Sequence, residues 1–211
     1  MNAGGHIAVA AGQESDAGLL LGAALPDLGA MGGFRLLGRS DDRSVTDGID
    51  LHHRTDDAFH RHPWFTQRNR RLTQRLDDAG LGRGPARACS HVGIELLLDG
   101  ELMAVPELRH ASTRAYDAID HRLDALDGLV RDDERTRWRR HLQLIARRHL
   151  PTDYDQPTAV AARLHRILAR RPRLALAAEH IATVAAALAD EQPSIADSAR
   201  DFLVELRAEL L

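Results

Sequence analysis

The chain has 211 residues, of which 44% are hydrophobic and 28% are charged, and this balance is typical of an ordinary soluble globular protein. A net charge of −3 excludes the basic excess expected of a nucleic-acid-binding or membrane-surface protein. The single cysteine excludes an internal disulfide and favours a reducing compartment. No signal-peptide pattern and no bilayer-length apolar run are present, so a cytoplasmic protein is predicted.

The N-terminal region contains two apolar segments, each with one conspicuous polar residue. Residues 1–12 are small and apolar around His6, and residues 16–31 predict a helix that contains Asp27. Pro26 indicates a break in this helix, because proline fits a helix start or a kink better than a helix interior. His6 and Asp27 are candidate metal ligands, and a helix-capping role suits Asp27 nearly as well.

A column of polar side chains marks the next predicted helix, residues 46–63. His52, Asp56 and His60 recur at four-residue spacing, which stacks their side chains on one face of a helix. Imidazole and carboxylate groups at this spacing can close on one metal ion. The helix ends before a proline that begins the following helix.

A second column lies in residues 91–99, where His91, Glu95 and Asp99 repeat the spacing in an otherwise apolar sequence. A helix that is apolar nearly all round is buried, so its polar side chains need partners. A metal ion held between the two helices would satisfy them, and hydrogen-bond ladders in a helical core are the alternative. Nitrogen and oxygen ligands without a thiolate favour Zn²⁺, Mn²⁺ or iron.

The second half of the chain continues with helical periodicity, and no stretch shows the alternation of a sheet strand. Five helices are predicted, over residues 106–128, 131–149, 156–171, 174–191 and 193–211. The whole chain therefore predicts a single all-α domain, a bundle of about eight to ten helices. Residues 1–105 would form the half with the metal site, and residues 106–211 would complete the bundle. Arginine clusters in residues 132–173 indicate a solvated helix face or a docking surface for an acidic partner.

Four short motifs follow one another in the first half of the chain. Their positions are Met1, Asn2 and His6, then Gly22, Leu25 and Asp27, then Gly48, Ile49, Leu51, His52, Asp56, His62 and Pro63, and finally Glu95 and Asp99. In this order they resemble the acyl carrier protein phosphodiesterase family, an HD-like all-helical group of metal hydrolases. Four positions depart from that pattern, since His53 replaces an arginine, His60 an acid, Gly100 a histidine and His91 a small residue. The aromatic residues that the pattern has near Gly100 are also absent.

The resemblance implies metal-assisted hydrolysis of a phosphodiester. The family removes 4′-phosphopantetheine from a carrier protein with a divalent ion such as Mn²⁺, so an acidic carrier protein is the implied partner of the arginine-rich helices. The predicted metal ligands are His6, Asp27, His52, Asp56, His91 and Glu95. Asp56, Asp99 and His60 are the predicted catalytic residues, with roles in proton transfer or in holding a further ion.

A second set of residues is similar to the metal-ligand pattern of zinc-dependent phospholipase C and single-strand nucleases. This set consists of His52, Asp56, His62, His91 and Glu95. Two other functions stay open, a non-catalytic helical binding module with a relict metal site and a di-iron oxygenase on an HD-like scaffold. The sequence leaves the substrate, the number of ions and the oligomeric state undetermined.

Overall fold

The computed structural model describes residues 1–11, 16–149 and 151–210, and every regular element within these ranges is a helix. The α-helices are α1 (Ala3–Ala10), α2 (Ala17–Met31), α3 (Arg43–Arg61), α4 (Pro63–Asp78), α5 (Arg83–Met103), α6 (Pro106–Asp117), α7 (Leu123–Leu126), α8 (Arg135–Arg148), α9 (Pro157–Leu168) and α10 (Ile181–Leu210). Single 3₁₀ turns lie at Asp127–Leu129, Asp132–Glu134 and Ala178–His180. The all-α prediction is confirmed. None of the described helices combines the length and the apolarity that a bilayer crossing requires.

Two prolines that were predicted at helix breaks lie inside helices. Pro26 lies within α2, and Pro193 lies within α10, which continues unbroken past it. Proline removes one backbone hydrogen bond from a helix interior. Burial of neighbouring apolar side chains offsets this cost, because Leu25 and Leu28 next to Pro26 are buried and so is Ile195 next to Pro193.

The predicted helix over residues 106–128 is shorter than its periodicity suggested, because α6 ends at Asp117. The segment that follows is held by side chains of α8. Trp138 Nε1 donates a hydrogen bond to the Leu126 carbonyl oxygen at 3.0 Å, which satisfies a backbone acceptor at the C-terminal end of the short α7. Arg139 donates to the carboxylates of Asp124 and Asp127, with nitrogen–oxygen distances of 2.5–2.8 Å.

The chain divides into two compact units. Unit 1 comprises Met1–Ala58, Met103–Pro151 and Leu206–Leu211, and unit 2 comprises Phe59–Leu102 and Thr152–Glu205. Within unit 1, helices α1, α2 and α6 pack against one another around a core that includes Trp138 and Tyr116. Every residue of α1 is buried, so a polar side chain on this helix lies inside the unit.

Helices α2 and α3 cross in backbone contact, and two glycines make this possible. A Cβ atom on Gly22 would overlap the carbonyl oxygen of Val45, and one on Gly48 would overlap the carbonyl oxygen of Leu19. The absence of both side chains brings the two helix axes close together. The crossing places the carbonyl of Ala23 on α2 within hydrogen-bond reach of His52 on α3.

Unit 2 is built on aromatic and aliphatic side chains from the end of α3 and from α4, α5, α9 and most of α10. Phe59 packs on Phe65 and Phe202 with ring centroids 4.4 Å and 5.9 Å away. The buried face of α5 is apolar apart from a few polar residues, as its composition predicted. Gly100 of α5 lies against the backbone of Tyr154, and a Cβ atom there would overlap it.

Candidate metal sites

The first group of metal-ligating side chains lies in unit 1 and joins three helices. His6 of α1, Asp27 of α2 and His52 of α3 each place one ligand atom within 4.8 Å of the others. His6 Nε2 is 3.9 Å from Asp27 Oδ2 and 3.7 Å from Asp56 Oδ1. These distances are too long for hydrogen bonds, and an ion with bonds of about 2 Å would have to draw the ligand atoms a few tenths of an ångström closer together. The Met1 amino nitrogen also donates to Asp56 Oδ1 at 3.0 Å.

Both imidazoles of this group are buried, and their rings stack with centroids 3.8 Å apart. His52 Nδ1 donates a hydrogen bond to the Ala23 carbonyl oxygen at 2.8 Å, which leaves Nε2 as the nitrogen with a free lone pair. Desolvation on burial lowers the pKa of His6 to about 4 and the pKa of His52 to about 3. Both rings are therefore neutral near pH 7, and the neutral ring is the form that binds metal.

The second group lies in unit 2 and has a tighter geometry. His60 Nε2 is 3.1 Å from His91 Nε2 and 3.3 Å from Glu95 Oε1, and His91 Nε2 is 3.1 Å from the same Glu95 oxygen. A zinc-type ion with bonds of about 2.0–2.2 Å holds neighbouring ligand atoms roughly 3–3.5 Å apart. The three atoms therefore already stand at the separations of a coordination shell.

The charge state and the exposure of the second group also suit metal binding. Burial raises the pKa of the Glu95 carboxyl, but nearby positive charge and the hydrogen bonds from His60 and His91 outweigh it, so the net pKa lies below the ordinary value. The carboxylate is therefore ionised and acts as an acceptor. The side chains of His60 and His91 are 31% and 40% exposed, whereas Glu95 is 11% exposed, so this group is open to solvent on the histidine side.

Of the ligands predicted from the sequence, His6, Asp27 and His52 belong to one group, and Asp56 borders it. His91 and Glu95 belong to the other group together with His60, which was predicted as a catalytic residue with a role in proton transfer or in holding a further ion. The four-residue column that singled out His60 on α3 was the signal for this role. The predicted catalytic residue Asp99 is buried on α5.

Three other residues considered in the sequence, His62, His53 and Cys89, belong to neither group. His62 belongs to neither group, because its Nδ1 accepts a hydrogen bond from the Trp64 amide at 3.1 Å and caps α4. The neighbour of His52, His53, is exposed. The lone thiol, Cys89, is buried, and burial raises its pKa to about 12, so it offers no thiolate ligand.

Comparison of this chain with protein-family models, with curated proteins and with solved structures gives no match. Each of the two groups can hold a metal ion on the geometry of its own side chains.

Proposed function

We propose that the chain is a metal-dependent phosphodiester hydrolase. The observation that carries the proposal is the triangle of His60, His91 and Glu95, whose ligand atoms stand 3.1–3.3 Å apart. Three nitrogen and oxygen ligands with one side open to solvent are the pattern of catalytic zinc sites, whereas structural zinc sites are closed by four protein ligands. The resemblance to the acyl carrier protein phosphodiesterases supports the choice of phosphodiester as substrate.

In the proposed mechanism, some side chains of the two groups bind a metal ion and others transfer protons. An ion bound by the triangle supplies a Lewis acid for a phosphoryl oxygen and an acidified water. The open side beside the two histidines admits the substrate, and ionised Glu95 offsets the cationic charge. Asp99, one turn after Glu95 on α5, is the proposed proton acceptor in unit 2. In unit 1, the buried His6 and His52 and the half-buried Asp27 would hold a second ion, with Asp56 as a further carboxylate.

The test begins with elemental analysis of protein purified without chelator or affinity metal. Hydrolysis of bis(p-nitrophenyl) phosphate with added Zn²⁺ or Mn²⁺ is then measured for wild type, for Glu95→Gln and for the control Glu101→Gln on the same helix. We expect turnover in wild type and in the control, and loss of at least about 100-fold in Glu95→Gln. Equal activity in all three proteins, or no metal uptake, would contradict the proposal.

The same experiments separate the alternatives. An iron content near two ions with a visible absorption band would favour the oxygenase. Metal binding without turnover of any phosphodiester would favour a binding module. Where hydrolysis is seen, the family resemblance makes a 4′-phosphopantetheinyl carrier protein the first macromolecular substrate to assay.

A further inference from the structure

Beside His91, unit 2 contains a pocket with a volume of about 330 Å³. Its walls come from the start of α5, from α4 through Asn69, and from the turn that follows α9. This size lies at the lower end of the range of roughly 300–1,000 Å³ that is usual for small-molecule sites. His91 is also a member of the second metal group. A molecule in the pocket would therefore lie next to an ion bound by that group.

Two arginines that line the pocket give it a positive character. Arg87 and Arg171 have no carboxylate within 4.0 Å in the described part of the chain, and no acidic side chain lines the pocket. Other arginines of unit 2 are engaged differently, since Arg71 pairs with Glu191 and Arg75 with Asp190. Guanidinium groups bind phosphate through parallel charge-assisted hydrogen bonds. Two arginines at a pocket without a carboxylate partner therefore suit an anionic phosphate.

The remaining polar and apolar walls narrow the class of ligand. The Asn69 side-chain oxygen accepts a hydrogen bond from the buried hydroxyl of Ser90 at 2.7 Å, which leaves its amide NH₂ as a donor. Val92, Leu168 and Leu174 add apolar side chains to the lining. A ligand that matches this mixed lining carries a phosphate and a small apolar group.

The turn after α9 is fixed tightly enough to act as a wall. The Leu174 amide donates to the Arg171 carbonyl oxygen at 2.8 Å, and the Arg171 amide donates to the Leu168 carbonyl oxygen at 2.9 Å. A Cβ atom on Gly84 would lie 2.5 Å from the Arg173 carbonyl oxygen, so the glycine lets the turn lie directly on α5. The two arginines therefore belong to packed backbone segments.

We propose that this pocket binds the substrate of the metal site formed by His60, His91 and Glu95, and that it selects a phosphodiester with a small apolar group on the phosphate. The inference rests on the proposed function for its link to catalysis. The binding itself depends only on the arginines and the apolar wall, so it can be tested without turnover.

The first experiment measures binding of phenyl phosphate and of inorganic phosphate by calorimetry to the full chain in chelator, and repeats it on the zinc-loaded chain. We expect phenyl phosphate to bind more tightly, because its ring covers the apolar wall. The double variant R87Q/R171Q should bind phenyl phosphate at least about tenfold more weakly. The control R166Q/R170Q loses the same charge from exposed arginines nearby and should bind as wild type does. Circular dichroism checks that each variant is folded.

The outcomes separate this inference from the proposed function. Binding that depends on Arg87 and Arg171 in a protein without phosphodiesterase activity would support the pocket and contradict the hydrolase. Turnover with an unchanged Michaelis constant in R87Q/R171Q would support the hydrolase and contradict the pocket. Absence of phenyl phosphate binding in wild type, or equal weakening in both double variants, would also overturn the inference. The variant Leu174→Ser should reduce the preference for phenyl phosphate over inorganic phosphate, and an unchanged preference would remove the apolar group from the proposal.

Discussion

At the scale of single residues, His52 is prepared for metal binding by its surroundings. Its Nδ1 is engaged by a backbone carbonyl, its ring stacks on His6, and burial keeps it neutral. We predict that His52→Ala lowers the metal affinity of the unit 1 group by about 100-fold, because a ligand and its fixed orientation are lost together. His53→Ala is the matched control, since it removes an exposed histidine from the next position. Competition with a chromophoric chelator measures the metal affinity of each variant. Similar affinities in the two variants would contradict a role for His52 as a metal ligand.

Arg139 shows a residue-scale effect that depends on pH. Its hydrogen bonds to Asp127 hold the pKa of that carboxyl below the ordinary value. A carboxyl with a lowered folded pKa contributes stability above its unfolded pKa of about 4, and this contribution is lost as the pH falls through the folded value. We therefore expect Arg139→Gln to be less stable than wild type at neutral pH, with the difference shrinking in acid. Urea unfolding at neutral and at acidic pH measures this difference in unfolding free energy. Arg140→Gln, which changes an exposed arginine on the same helix, is the control.

How far the sequence predicts a residue's role depends on what else can use that side chain. The four-residue spacing identified His60 together with His52 and Asp56, because helix geometry alone aligns them. The same reasoning could not tell that His62 caps α4, because a nitrogen lone pair serves a backbone amide as well as an ion. Nor could it divide the six predicted ligands between two groups, since that division depends on tertiary packing.

At the scale of helices, the crossing of α2 and α3 positions the unit 1 group. Gly22→Ala introduces a Cβ atom that overlaps the backbone at Val45, which cannot move as a side chain can. We expect the variant to lose roughly 1–3 kcal/mol of unfolding free energy. Gly29→Ala is the control on the same helix, because its Cβ would lie 3.3 Å from the flexible Leu36 side chain. Equal effects in thermal unfolding of the two variants would contradict a role for the close crossing.

The presence of the helices was predictable from the sequence, but the positions of their ends were less so. Periodicity identified α3, α4 and α5 because caps, prolines and apolar stripes agreed there. Pro193 failed as a boundary signal, since tertiary burial around it outweighs the missing hydrogen bond. The end of α6 was missed because the side chains of Trp138 and Arg139, which hold the next segment, come from a distant part of the sequence.

At the scale of the whole molecule, bound metal should contribute to stability. An ion that binds the folded chain and not the unfolded chain adds about 2.7 kcal/mol when its free concentration is 100 times the dissociation constant. We predict that a chelator lowers the melting temperature of the zinc-loaded wild type. The double variant His52→Ala/His91→Ala, which lacks a ligand in each group, should melt at the same temperature with and without chelator. A chelator effect of equal size in both proteins would contradict metal binding at these groups.

The fold class followed from the sequence, whereas the division into units did not. Unit 1 collects three separate segments of the chain, and unit 2 collects two. The periodicity of apolar residues predicts which segments are helical, but it does not indicate which distant segments pack together. Helices α3, α5 and α10 each contribute residues to both units, so no composition change marks the division.

The contact at Gly100 also limits how this protein can change over evolutionary time. The backbone of Tyr154 and Asp155 fills the space that a side chain at position 100 would need. A side chain as large as histidine at position 100 would therefore disturb this packing before it could act as a ligand. Any residue other than glycine at position 100 requires a prior change in the backbone of Tyr154 and Asp155, so tolerance to substitution at one position depends on the other.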